Sequence, residues 1–379
     1  MMRIAFLSTV YGYPFGGADI LWSHAADIAL GRGDAVLVGV TPAVAAHARV
    51  QSMIRQGARH FPTGVPTIPR SQRDRIKRRM EYAAGETDSL VSALRIFRPD
   101  RVIFSCGGTY DLVREGRVLG FIQDQRIPYF VIANWQTEAP FLSPVDLQRA
   151  GAAFCGARRI FFVSRRNLEI TRRHLALPLR HASLIQVPIR PPPSGGVPWP
   201  AGDTPTFAVV ARLEHVKGLD LLLPALAQFP GASQSWRLNI HGEGPGHDAL
   251  QLLASQLGLS RHVRFHGFVP DLAGIWRENQ CLVSASRDEG LPTAMIEALL
   301  YGRPVIATRV GAAEEWIEEG VTGFICDPGS VESLADAIRR AWCARSAWSG
   351  MGSAARQRAS ARHVPDDADR LLAPEFVVY

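Results

Sequence analysis

Short apolar runs punctuate the chain, and each gives way to a turn and then to a stretch with helical period. The pattern predicts strands over Arg3 to Thr9, Ala35 to Val40, Arg101 to Ser105, Tyr129 to Asn134 and Arg159 to Ser164. Further strands are expected over Phe207 to Ala211, from Leu238, up to His266-Gly267, at Cys281-Leu282-Val283 and over Pro304 to Ala307. These runs are continuously apolar rather than alternating, the habit of strands covered on both faces. After the first strand, Leu21, Ala25 and Ile28 fall on one face of a helix. Ser330 is placed to cap a last amphipathic helix with Val331, Leu334, Ile338 and Trp342 inward. Strands alternating with helices predict an α/β protein with parallel sheets.

Between residues 187 and 202 the rhythm breaks into a run dense in proline and glycine, including Pro191-Pro192-Pro193, Gly195-Gly196, Pro198 and Pro200. Such composition marks a join between domains. The expected organisation is a first domain over 1–190, a linker over 191–205, a second domain over 206–350 and a tail over 351–379. A chain of 379 residues is long enough for two substantial cores.

Charge is distributed unevenly. Residues 1–200 hold 26 Lys and Arg against 14 Asp and Glu, whereas residues 201–379 hold 16 against 21. An anionic partner is therefore expected on the first half. The densest patch lies in 70–79 and contains Arg75, Lys77, Arg78 and Arg79. It reads either as a solvated helix face or as a landing patch for an anionic membrane or lipid-linked substrate. No aromatic residues interleave it, which argues against nucleic acid. Lysine occurs only at 77 and 217 among the 42 basic residues, so arginine carries almost all the positive charge. The five cysteines are scattered without a Cys-x-x-Cys pair, no apolar run reaches membrane-span length, and no cleavable leader is read at Met1. The expectation is a cytoplasmic protein without a metal cluster, with peripheral contact at the inner face of the membrane. Asp367-Ala368-Asp369 matches an Asp-x-Asp metal motif in form, but it follows no strand and is discounted.

Ser284 to Thr308 concentrates the chemistry. A buried strand leads into a polar loop with Glu289 and Gly290; Leu291 and Pro292 open a helix from Thr293, and Gly302 closes it. A helix start offers free N–H groups to phosphate. Glu297 lies about 7 Å further along the axis, where a carboxylate can accept from ribose hydroxyls. Arg212 and Lys217 flank the turn after the first strand of the second domain and can close on a diphosphate from two sides. Gly16-Gly17, at the first strand-to-helix turn, permits close backbone approach to a ligand. Gly242 marks another such turn.

Glu289 and Glu297, followed by Ala-Leu-Leu-Tyr-Gly-Arg-Pro-Val-Ile-Ala, resemble the donor-site signature of glycosyltransferase family 4, also called glycosyl transferases group 1. Arg212 and Lys217 match that family's Arg-x-x-x-x-Lys. The resemblance implies the GT-B architecture, two Rossmann-like domains facing an interdomain cleft. It also implies metal-independent, retaining transfer of a sugar from a nucleotide-diphospho-sugar to a glycan or lipid-linked acceptor, in cell-surface polysaccharide or glycolipid synthesis. Arg212 and Lys217 would stabilise the departing diphosphate, Glu289 would contact the transferred sugar and Glu297 the ribose. Gly290, Leu291, Thr293, Gly242, Phe268 and the Gly16-Gly17 pair would complete the donor side, with the loop at Phe268 against the base.

The chain departs from the family in the first domain. Many members carry a histidine at the ends of the middle strands, where this chain has Ser105-Cys106-Gly107 and Asn134-Trp135-Gln136. Asn134, Trp135 and Glu138 are the acceptor candidates instead. The missing histidine favours one rival, a catalytically silent scaffold of the same fold that binds nucleotide-sugar or glycan; a second, an epimerase-like enzyme of the same architecture, fits the Glu289 to Glu297 spacing less well. Neutralising Arg75, Lys77, Arg78 and Arg79 together is expected to reduce binding to anionic vesicles in a flotation assay, and unchanged binding returns the patch to a solvated face.

Overall fold

The computed structural model describes residues 1–11, 14–63, 86–138, 142–229, 234–365 and 367–373. The chain separates into two compact units, one of residues 1–188 and 364–379 and the other of residues 189–363. The basic residues Arg75, Lys77, Arg78 and Arg79 lie outside the described residues.

The first unit is built on seven parallel strands: β1 Arg3–Ser8, β2 Ala35–Val40, β3 Arg59–Pro62, β4 Arg101–Gly108, β5 Tyr129–Trp135, β6 Arg159–Phe162 and β7 Ala182–Leu184. Their order across the sheet is β3-β2-β1-β4-β5-β6-β7. The second unit has six, β8 Thr206–Val210, β9 Arg237–His241, β10 Val263–Gly267, β11 Cys281–Ser284, β12 Val305–Thr308 and β13 Gly323–Cys326, ordered β10-β9-β8-β11-β12-β13. Both sheets therefore follow the doubly wound order, in which strand order reverses beside the first strand. The expected two-domain Rossmann-like α/β fold is borne out. Continuous apolar strands sit at the centre of each core; Phe6, Phe104, Phe161 and Phe207 are fully buried.

The reversal occurs between β1 and β4 in one sheet and between β8 and β11 in the other. At such a point, adjacent strands send their following loops to opposite faces, and a crevice opens beyond the carboxyl ends. Ser8 is level with Ser105 across the first reversal, and Ala208 with Leu282 across the second.

Two boundaries differ from the sequence expectation. The proline-rich stretch after 189 groups with the second unit, where Arg303 gathers it in. That guanidinium is almost fully buried and donates to the carbonyls of Trp276, Asn279, Tyr301, Gly302 and Pro198, and it lies over the Trp199 ring at 5.1 Å. Burial lowers its pKa to about 10, so it remains a cation, satisfied by carbonyl dipoles. Position 350 falls inside a helix, Trp348–Arg362, whose Trp348, Met351, Gly352, Ala355 and Ala359 are buried. Gly352 sits against Gly302, where a side chain would strike the Gly302 carbonyl.

After 364 the chain belongs to the first unit. Asp367 accepts from the Gln186 backbone N–H at 2.6 Å, Asp369 pairs with Arg32, and Arg101 donates to the Leu371 carbonyl at 3.2 Å. Both aspartates of the discounted Asp-x-Asp thus hold structure. Replacing Arg303 with leucine strands several buried carbonyls and is expected to cost about 3 kcal/mol or more in urea unfolding.

Candidate functional site

The second unit's strand-order reversal brings together residues far apart in sequence. After β8 the chain makes a single 3₁₀ turn, His215–Lys217, and Gly218 takes the left-handed conformation with φ of 66°. A Cβ at 218 would overlap the Ala285 carbonyl oxygen, so only glycine lets this turn rest on the segment after β11. Arg287 then fastens the two loops. Its N–H donates to the Val216 carbonyl at 2.7 Å, and its guanidinium donates to the His215 carbonyl and to both oxygens of Asp220, each at 2.7 Å. Those hydrogen bonds hold the Asp220 carboxyl below its ordinary range and raise the guanidinium pKa.

On this frame Lys217 reaches Glu289. The two form an ion pair with both side chains largely buried, and Ser286 donates to the same Glu289 oxygen at 2.8 Å. Ser286 is itself placed by Thr308, whose hydroxyl donates to its carbonyl at 2.6 Å. A side chain at Gly311, φ 53°, would overlap the Gly290 carbonyl. The clamp of Arg287 on Asp220 and the support from Ser286 escape a sequence reading, because nothing in their spacing names the partner.

Gly242 lies next door, after β9. Its φ is 144°, a Cβ there would collide with the Ala211 carbonyl, and its N–H donates to Gly267 at 2.7 Å. Arg212 extends from the same crowded turn, half exposed, and pairs with Glu214 at 2.9 Å. Phe268 stands 72% exposed beyond β10, its N–H donating to Glu243 at 3.3 Å. Beneath this loop His241 is buried and stacks on His266 at 4.7 Å; burial lowers its pKa to about 4, so it is neutral.

The helix Thr293–Leu300 begins after β11 with Pro292 as N-cap, and no side chain caps it. Gly290 is buried, and Leu291 and Thr293 are partly exposed at its mouth. Glu297, one turn in, is partly buried. Burial pushes its pKa up to about 7, and nearby Arg190 offsets this only in part. Among the described residues its carboxylate has no hydrogen-bond partner. This is a polar group at the reversal whose lone pairs remain to be filled.

The other candidates lie in the first unit. Gly16 is the N-cap and Gly17 the first residue of the helix Gly17–Gly31. Asp19 secures that start: it accepts from the Gly16 N–H at 3.1 Å, the Trp22 indole at 2.9 Å and the Ser8 hydroxyl at 3.2 Å, and burial still raises its pKa. Asn134 is buried and ties β5 to β4, donating to the Ser105 hydroxyl at 3.1 Å and the Cys106 carbonyl at 3.0 Å. Glu138 is occupied by Arg166 at 2.9 Å and by Arg173. Trp135, 39% exposed at the end of β5, keeps an open aromatic surface.

Residues 199–358 match the family model described as glycosyl transferases group 1. The second unit is a glycosyl transferases group 1 domain. Within that domain Lys217, Glu289 and the helix carrying Glu297 meet at the strand-order reversal. The chain is 32% identical over 138 residues to the lipopolysaccharide core biosynthesis glycosyltransferase LpsE of Rhizobium meliloti, which covers 36% of this chain and 39% of that protein. It is 33% identical over 170 residues to the GDP-mannose-dependent alpha-(1-6)-phosphatidylinositol monomannoside mannosyltransferase of Mycobacterium tuberculosis, covering 42% and 44%. The matched part thus spans about two fifths of these curated relatives. Over 98% of both chains the fold is similar to Anabaena Alr3699/HepE in complex with UDP and glucose, with a TM-score of 0.75 and 19% identity. It is also similar to WaaG, a glycosyltransferase involved in lipopolysaccharide biosynthesis, with a TM-score of 0.70 and 16% identity over 97% and 98% of the chains. These likenesses place both units, not only the group 1 domain, in the two-domain Rossmann-like fold.

Two outcomes are expected. Gly218→Ala forces both a strained φ and an overlap with Ala285, and should destabilise the protein by about 2 kcal/mol or more in denaturant unfolding. Between the ordinary glutamate pKa near 4.5 and about 7, the folded protein retains the Glu297 proton that the unfolded chain releases. Glu297 therefore makes stability decline as pH rises through that window and level off above it. Glu297→Gln should remove that component of the decline, read from unfolding at pH 5 and pH 7.5.

Proposed function

We propose that the protein is a retaining, metal-independent glycosyltransferase that moves a sugar from a nucleotide-diphospho-sugar to a hydroxyl of a glycan or lipid-linked acceptor. The convergence of Lys217, Glu289 and the Glu297 helix at the β8/β11 reversal carries this reading. Lys217 and Arg212 neutralise the charge that builds on the departing diphosphate, and the N–H groups at the start of the Thr293 helix assist them. Cations and a helix end in those places make a divalent metal unnecessary. Glu289, held by Lys217 and Ser286, orients the sugar ring and steadies an oxocarbenium-like transition state. The released phosphate oxygen takes the acceptor proton, so no separate side-chain base is required. The loop at Gly242 and Phe268 takes the base, and in the first unit the turn at Gly16 and Gly17 leaves room for a ligand to approach backbone. The names of the relatives favour cell-surface polysaccharide or glycolipid synthesis, and the excess of basic residues in 1–200 favours peripheral contact with an anionic membrane.

Glu297 gives the reading a proton signature. Ribose hydroxyls that donate to its carboxylate favour the ionised form, so nucleotide binding near pH 7 releases a proton. Calorimetry in buffers of different ionisation enthalpy should detect that release, and Glu297→Gln should abolish it.

The direct test is a thermal-shift screen in chelator against UDP, GDP, ADP, dTDP and their sugars. A nucleotide at a hundred times its dissociation constant stabilises by about 2.7 kcal/mol. One clear hit is expected, with Lys217→Ala lowering turnover of its sugar conjugate about 100-fold. No shift with any nucleotide overturns the proposal.

A further inference from the structure

A cavity of about 910 Å³ opens within the first unit, beyond the carboxyl ends of β4 and β5. Every described residue lining it falls between Gly108 and Ala153, within that unit. The turn Asp111–Glu115, the helix Gly116–Asp124 and the helix Pro144–Gly156 form its walls. Its volume is near the upper end for small-molecule sites, about 300–1,000 Å³, and admits more than one six-membered ring.

Two features of the lining, and a third in the layer behind Tyr110 and Gln136, define what fits. Trp135 contributes an aromatic surface left 39% exposed, whereas Trp22, Trp236, Trp276 and Trp348 are fully buried in the cores. A ring left partly open in a cavity is suited to the C–H face of a saturated ring. Glu115 and Asp111 supply carboxylates whose pKa burial raises. Glu115 accepts from the Tyr11 hydroxyl at 2.6 Å and Asp111 from the Gly108 N–H at 2.7 Å, and each carboxylate has further acceptor sites. The third feature is polar capacity left unused. The Tyr110 hydroxyl is buried and faces Gln136 and Thr171, and burial pushes its pKa up to about 12. The His174 ring lies 6.2 Å from that of Tyr110, and its Nδ1 is buried without a partner. Gln136 donates to Thr171 at 3.1 Å, and Thr171 to the carbonyl of Asn167, whose buried amide is also unpaired. Unmet buried groups of this kind cost stability unless something supplies their hydrogen bonds.

The charges decide the ligand class. Arg114, Arg117 and Arg149 line the cavity, but Asp111, Glu115 and Asp146 share the same wall. The balance selects no ion and offers donors and acceptors together. We propose that this cavity seats a neutral polyhydroxylated ring, a pyranoside or cyclitol, with its C–H face on Trp135 and its hydroxyls on Glu115 and Gln136. As the acceptor subsite this rests on the glycosyl-transfer reading; as a sugar-binding cavity it stands on the first unit alone. Of the acceptor candidates seen in sequence, Trp135 lines it, while Asn134 and Glu138 are engaged in holding structure.

The test is saturation-transfer NMR on the full chain with the methyl glycosides of glucose, galactose, mannose and N-acetylglucosamine, and with myo-inositol, each with and without UDP. At least one is expected to receive magnetisation. Trp135→Ala and Glu115→Gln should each weaken its binding about tenfold or more, while Trp135→Phe retains it. The nucleotide-induced thermal shift should be the same in all three variants as in the parent, which confirms that they fold. Absence of binding by every neutral probe overturns the proposal, as does binding only of glucose 1-phosphate, or binding that neither variant alters. Loss of nucleotide binding with sugar binding intact would instead sink the transferase reading and leave the cavity standing.

Discussion

Arg287 is the residue on which the second unit's site depends. It holds the turn after β8 against the loop after β11, through two carbonyls and the carboxylate of Asp220. Loops on opposite sides of a strand-order reversal have no ladder to align them, so some other device must. Here it is a guanidinium whose planar fork matches a carboxylate and leaves a further donor for backbone. Gly218 makes the approach possible, and Arg287 makes it persist. Lys217 and Glu289 reach one another because their backbones are held in this way.

The architecture was largely legible in the sequence. Apolar runs of strand length alternating with helical stretches specify a doubly wound α/β chain, since only parallel strands covered on both faces read as continuously apolar. The stretch that carries Glu289 and Glu297 stood out too, because a proline-opened helix, a following glycine and two carboxylates coincide within it. What escaped was contact between segments distant in sequence. Asp220 and Arg287 look like ordinary surface charges until the fold pairs them. Asp19, which anchors the start of the first helix with three donors, carries no local mark. The proline-rich stretch looked like a free join because its backbone cannot build a ladder, yet the buried Arg303 binds its carbonyls into the second unit.

The first unit was read less completely for a related reason. Asn134 and Glu138 are polar residues at or just beyond a strand end, and position alone cannot separate a residue that meets a ligand from one that braces a loop. Asn134 bonds the neighbouring strand, and Glu138 is consumed by two arginines. Trp135 differs because an indole left half open is not needed by the core.

The chain's near-exclusive use of arginine has a practical side. With lysine only at positions 77 and 217, reductive methylation with isotopic formaldehyde would mark just two side-chain amines. One of them is the ammonium paired with Glu289. Its resonance would serve as a nearly background-free reporter of the pocket, because the bulk of the protein's positive charge is spectroscopically silent to the label.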